Sequence, residues 1–256
     1  MPTLHHREMG EGTRPLVLLH GLFGSSANWL GIVRILAPDW RVIVPDLRNH
    51  GRSFHDPDVS YPALAGDVLA MLDGLGLERA VLVGHSMGAK TAMWLALTAP
   101  DRVAALVAVD SAPVTYASGA TRIARGLDAV DLPGLADRAA ADEALADAVP
   151  DRRVRDYLLQ NLVREQGAWR WRINVAALLA GIDAITGWPA PPPQARYLGP
   201  TLFLHGGESN YVQPAHEPMI RALFPYARFR SVPGAGHWVY ADRPAEFVAA
   251  LRAFLG

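Results

Sequence analysis

A serine between glycines, Gly84-His85-Ser86-Met87-Gly88, stands where a short apolar run, Ala80 to Val83, gives way to a helix-length segment, Ala89 to Thr98. This strand, turn, helix context gives the pattern chemical meaning. Glycines permit a turn too tight for any Cβ, and the turn lifts the hydroxyl over the sheet edge at a helix N-terminus, where developing negative charge is favoured. Ser86 is therefore a candidate nucleophile for attack on a carbonyl, and such an attack needs donors for the oxyanion. His20-Gly21-Leu22-Phe23-Gly24 directly follows the apolar run Leu16 to Leu19. It fits an oxyanion loop, with the N–H of Leu22, or of Phe23 as the alternative, aimed at the same oxygen as the N–H of Met87. His20 reads as a brace for that loop, not as a catalyst.

Nine histidines compete for the role of base. Where a Gly-x-Ser-x-Gly turn carries the nucleophile, the histidine comes last in the chain. That order selects His237, in the glycine-rich loop Pro233 to Trp238 after the run Arg228 to Val232, with Trp238 as an auxiliary neighbour. His5, His6, His55 and His216 read as surface residues. Two carboxylates contend for the third member. Asp110 ends the apolar run Ala104 to Val109, at the strand edge where sites in open parallel sheets assemble. Glu208 lies in His205-Gly206-Gly207-Glu208-Ser209, a later turn that commonly holds the acid beside such a serine. Either would orient the imidazole and stabilise the imidazolium. Spacing leaves both open.

The elements that must position these residues follow from the apolar pattern. Leu16 to Leu19, Val42 to Val44, Ala80 to Val83, Ala104 to Val109, Thr201 to Leu204 and Arg228 to Val232 read as strands, and Asn28 to Leu36, Pro62 to Leu75, Ser86 to Thr98 and Pro244 to Phe254 as helices. The alternation implies a mostly parallel sheet covered on both faces, an α/β fold in a single domain spanning 1–256. It breaks between Pro113 and Tyr197, where strand-like runs vanish and alanine, leucine and arginine dominate. The expectation there is an inserted helical cap, 114–197, roofing a pocket, with Trp169, Trp171 and Trp188 either lining it or joining cap to core. Lys90, the only lysine of the chain, lies four residues after Ser86. It is expected to stretch to the surface or pair with a carboxylate.

Composition narrows the partners. Twenty-four basic and twenty-five acidic residues give a net charge of -1, which supplies no field for nucleic acid. With no cysteine in the chain, disulfides and thiolate chemistry are excluded. No apolar run has the length of a membrane span and the N-terminus lacks a secretory core, so the expected location is cytoplasmic. Histidine spacing offers no metal site and the chemistry needs no cofactor. The sequence carries no signal of oligomeric state.

Six motifs in order carry a resemblance over nearly the whole chain: His20-Gly21-Leu22-Phe23-Gly24-Ser25, Asp46 to Ser53, Gly84 to Lys90, Asp110-Ser111-Ala112-Pro113-Val114, Gly206 to Val212 and Gly236-His237-Trp238. The chain resembles the α/β-hydrolase superfamily and, more closely, the small bacterial YbfF-type esterases and their mitochondrial relatives. The resemblance implies Asp110 as the acid, with Ser209 assisting near the histidine. Glu208 stands where the relatives look to have asparagine, and Ala89 replaces a usual second glycine after the serine turn. The implied function is cleavage of a small carboxylic ester, or thioester, of short to medium acyl chain through an acyl-enzyme. The alternatives are a cofactor-free perhydrolase, C–C hydrolase or lactonase on the same residues, or a non-catalytic small-molecule receptor.

Overall fold

The computed structural model describes residues 3–117 and 119–256. Each of the six apolar runs becomes a strand of one sheet. In chain order the strands are β1 (His6–Met9), β2 (Pro15–Leu19), β3 (Arg41–Pro45), β4 (Ala80–His85), β5 (Val103–Val109), β6 (Leu162–Glu165), β7 (Ala168–Trp171), β8 (Thr201–Gly206) and β9 (Ala227–Val232). Seven of them pair in the order β1-β3-β2-β4-β5-β8-β9, with β6 and β7 forming a separate hairpin. Every neighbouring pair in the large sheet is parallel except β1 with β3.

Alternate residues of each strand point to opposite faces, and both faces are buried. Leu16 and Leu18 of β2 and Val107 and Val109 of β5 pack with α1 (Leu30–Leu36), α10 (Val239–Asp242) and α11 (Pro244–Leu255). Val17, Leu19, Leu82 and Leu106 pack on the other side with α2 (Tyr61–Gly74), α3 (Met87–Thr98), α9 (Glu217–Leu223) and the segment inserted between β5 and β8. Each such side chain contributes roughly 1.5–3 kcal/mol relative to an exposed one, so the sheet is a firm platform for the turns at its C-terminal edge. No helix among the described residues is long and apolar enough to cross a membrane.

Two regions differ from the sequence reading. The N-terminal stretch, to which the apolar pattern assigns no strand, forms β1, pairing His6 to Pro45 through Met9 to Val42. An exposed edge strand needs only main-chain partners, so His-Arg-Glu-Met gives no apolar signal. The inserted segment, expected to be wholly helical, contains α4 (Ala120–Asp128), α5 (Arg138–Leu145), α6 (Arg152–Leu159), α7 (Val175–Ala180) and α8 (Ile182–Thr186), but also the β6-β7 hairpin. Its turn places Gln166 and Gly167 at φ of 49° and 85°, the paired left-handed residues that a two-residue hairpin connection requires.

Candidate active site

β4 delivers Ser86 into a turn with φ 53° and ψ −115°, from which α3 starts at Met87. A non-glycine residue at positive φ is strained, and the surroundings hold it there. The Ser86 N–H donates to the Val109 carbonyl (3.1 Å). A Cβ on Gly84 would lie 2.2 Å from the Gly88 carbonyl oxygen, and one on Gly88 would lie 2.5 Å from that of Leu19. Both glycines are thus required by close backbone approach. The hydroxyl-bearing residue remains partly exposed at the floor of a cavity of about 310 Å³.

Asp110, at the end of β5, is fully buried and also at positive φ, 49°. Its Oδ1 accepts the N–H of Gly206 (3.1 Å), and its Oδ2 accepts the Ser209 hydroxyl (2.5 Å) and lies 2.7 Å from Nδ1 of His237. Glu208 is exposed, and among the described residues only its main-chain N–H is bonded, to the Ala235 carbonyl (2.9 Å). The structure therefore brings Asp110, and not Glu208, to His237. The His237 ring is stacked on Tyr211 (centroids 4.0 Å apart) and its carbonyl accepts from Nε2 of His85 (2.9 Å). Burial, and next the neighbouring His237, holds the His85 imidazole well below its ordinary pKa, so it stays neutral with its proton on Nε2. With Nδ1 committed to Asp110, the other His237 nitrogen is the one left for proton transfer. Ser86, His237 and Trp238 line the same cavity.

The loop after β2 is braced from below and above. The Phe23 N–H donates to Nε2 of His50 (3.1 Å) and the Leu47 N–H to Nε2 of His20 (3.0 Å). Both imidazoles are buried, which lowers their pKa, that of His50 to about 3. They are neutral acceptors at any ordinary pH. Asp46 ties the base of this brace together by accepting the N–H groups of Ser26 (2.6 Å) and Arg52 (2.9 Å). From above, Tyr157 donates to the Leu22 carbonyl (3.0 Å) and Asn161 to that of Phe23 (2.7 Å). Because His50 occupies the Phe23 N–H, Leu22 and Met87 are the two candidate donors whose N–H groups have no hydrogen bond among the described residues.

Lys90 departs from expectation. It is 2% exposed, reaches no carboxylate among the described residues, and donates to the carbonyls of Thr186 (2.9 Å) and Gly187 (2.7 Å) at the end of α8. Trp169, Trp171 and Trp188 lie outside the lining. Trp171 donates to the Leu127 carbonyl (3.0 Å), Trp188 packs on Tyr61 and Trp94, and Trp169 sits under Arg164. Tyr61, Tyr116, Ile123, Val154 and Ile185 line the cavity instead. No group of three or more potential metal ligands occurs among the described residues. Sequence reasoning missed the stacking of Tyr211, the neutral brace at His85 and the contacts of Tyr157 and Asn161. Only the adjacency of His85 to the serine gave any signal for them.

Comparison with known proteins agrees with this fold. Residues 14–244 match the family model described as the alpha/beta hydrolase fold. The sn-1-specific diacylglycerol lipase ABHD11 of Mus musculus is 43% identical, over 100% of this chain and 85% of its own length. Esterase YbfF of Escherichia coli is 38% identical, over 94% of this chain and 92% of its own. A solved structure described as a marine microorganism esterase superposes with a TM-score of 0.95 at 34% identity, covering 99% of this chain and 100% of that one. The strained serine turn, the histidine and carboxylate beside it, and these relatives together show that the chain belongs to the α/β-hydrolase family.

Proposed function

We propose that this chain is a serine hydrolase of carboxylic esters, and of thioesters, with short to medium acyl chains, acting through an acyl-enzyme on Ser86. His237 takes the proton of the Ser86 hydroxyl as Oγ attacks the ester carbonyl. The oxyanion is received by the N–H groups of Leu22 and Met87, the second reinforced by the N-terminus of α3. Asp110 holds the Nδ1 proton and stabilises the imidazolium, and His237 then passes its proton to the leaving alcohol or thiol. Water, activated by the same histidine, releases the acid.

The observation that carries this reading is the 2.7 Å contact between buried Asp110 and His237, the histidine lining the same cavity as Ser86. The esterase and lipase names borne by relatives such as the Escherichia coli and Mus musculus proteins support the reaction class. Ser209 supports the acid by donating to the oxygen that faces the histidine, and Phe23 and Trp238 line the cavity. The test is turnover of p-nitrophenyl esters of increasing acyl length beside matched thioesters. Hydrolysis strongest for short to medium chains is expected, with a loss of at least ~10³-fold in Ser86→Ala. Unchanged turnover in that variant would refute the nucleophile.

A further inference from the structure

The chain's single lysine takes no part in the chemistry above, yet it lines the same cavity one helical turn beyond the nucleophile. Its position on α3 leaves it almost wholly buried. Two of the three N–H groups of an ammonium are spent on the Thr186 and Gly187 carbonyls, and the third has no acceptor among the described residues. Around it stand the rings of Tyr116, 4.6 Å from Nζ, and Tyr61, 5.8 Å away. Their hydroxyls are committed elsewhere, Tyr61 to the Ile185 carbonyl (2.5 Å) and Tyr116 to that of Tyr211 (2.8 Å). Among the described residues no carboxylate pairs with Lys90 and none lines the cavity.

Burying a cation without a counter-charge is costly, and buried charges are ordinarily paired. Here the missing anion has a place to sit, because Lys90 lines the same cavity as Ser86. We propose that the Lys90 end of the cavity is a subsite for a carboxylate carried by the acyl group, so that the preferred substrates are monoesters or monothioesters of short dicarboxylic acids. Residues four apart on a helix lie ~6 Å apart along its axis, so the subsite stands only a few bonds from the carbonyl attacked by Ser86. Diacids on the order of four to six carbons span that gap. The two carbonyls aim the ammonium, the aromatic faces favour its charge, and the substrate carboxylate completes its coordination. Burial lowers the Lys90 pKa to about 7, so an arriving carboxylate also holds the proton in place. A purely hydrocarbon acyl chain would leave the third N–H unpaired.

This subsite rests on Ser86 being the nucleophile, and the test separates the two. p-Nitrophenyl butyrate is assayed first, then mono-p-nitrophenyl glutarate against its methyl ester, in wild type and Lys90→Met. The expected result is a charged-to-neutral ratio of kcat/KM above one in wild type that falls at least ~10-fold in the variant. A ratio unchanged between the two proteins, or a wild type that prefers the methyl ester, overturns the subsite. Absence of butyrate hydrolysis would instead overturn the hydrolase reading. If Lys90→Met does not fold, free glutarate must inhibit butyrate hydrolysis by the wild type at least ~10-fold more strongly than dimethyl glutarate, and equal inhibition overturns the proposal.

Discussion

The floor and the roof of the cavity are built on different principles. The floor consists of turns at the C-terminal ends of β2, β4 and β5, and in each one a non-glycine residue is held at positive φ: Phe23 at 61°, Ser86 at 53° and Asp110 at 49°. Bonds between neighbouring strand ends hold these conformations, such as Asp110 N–H to the Leu204 carbonyl (2.9 Å). The roof is the inserted segment, which meets the floor through a few side chains: Tyr157 and Asn161 on the loop after β2, and Lys90 and Tyr61 reaching up to the end of α8. The floor, with strain locked in by close packing, suits the placing of reacting atoms. The roof, joined by separable polar contacts, suits selection of what enters.

The sharpest way to break this contrast is at the acid. Asp110→Asn, on the floor, is expected to lower kcat for p-nitrophenyl butyrate by ~10³–10⁴-fold. Glu208→Gln should stay within about twofold, since its carboxylate is exposed. The reverse outcome would move the acid to the later turn. A smaller effect is expected from adding one methyl group. Gly84→Ala forces a Cβ against the Gly88 carbonyl and should cost ~2–4 kcal/mol in urea unfolding. Gly119→Ala, on the roof, meets nothing within 4 Å and should change stability by less than ~1 kcal/mol. Equal costs would show that the floor is no more tightly determined than the roof.

The smallest effects per step of change are linked to protons, each bounded as a slope per pH unit, and here the two regions separate by pH window. His50, under the floor, has its pKa lowered from 6.5 to about 3 by burial. Between those values the unfolded chain binds the extra proton, so this contribution is intact above 6.5 and is lost as pH falls toward 3. Lys90, at the roof contact, is lowered from 10.5 to about 7. Its penalty is complete below 7 and is relieved as pH rises toward 10.5, so stability increases through that window. Urea midpoints of wild type minus His50→Gln and of wild type minus Lys90→Met should therefore slope in separate pH ranges, each at no more than ~1.4 kcal/mol per pH unit. A Lys90 difference that is flat from pH 7 to 9 would show that its amine is not perturbed.

Legibility in the sequence follows the same division. Ser86, His237 and the six apolar strands were readable because backbone requirements write themselves into residue type: glycines flank the tight turn, and apolar runs fill a sheet buried on both faces. Asp110 and Glu208 were equally good candidates by spacing, and only the crossing of β5 to β8 in the sheet brings the first beneath His237. The hairpin of β6 and β7 was overlooked although Gln166-Gly167 between alternating residues is a turn signal, because its strands are four residues long amid helical composition. Lys90 was misread since nothing local foretells that two carbonyls 96 and 97 residues away will receive it. Tyr157 and Asn161 were silent for the same reason, their partners lying across the interface between roof and floor.

On the proposed mechanism the strained turn presents an activated serine. The direct measurement is labelling of the folded protein with a fluorophosphonate, followed by peptide mass spectrometry. One adduct is expected, on Ser86, lost in the unfolded chain and strongly slowed in Asp110→Asn. Folded protein that hydrolyses esters yet carries no adduct on Ser86 would contradict it.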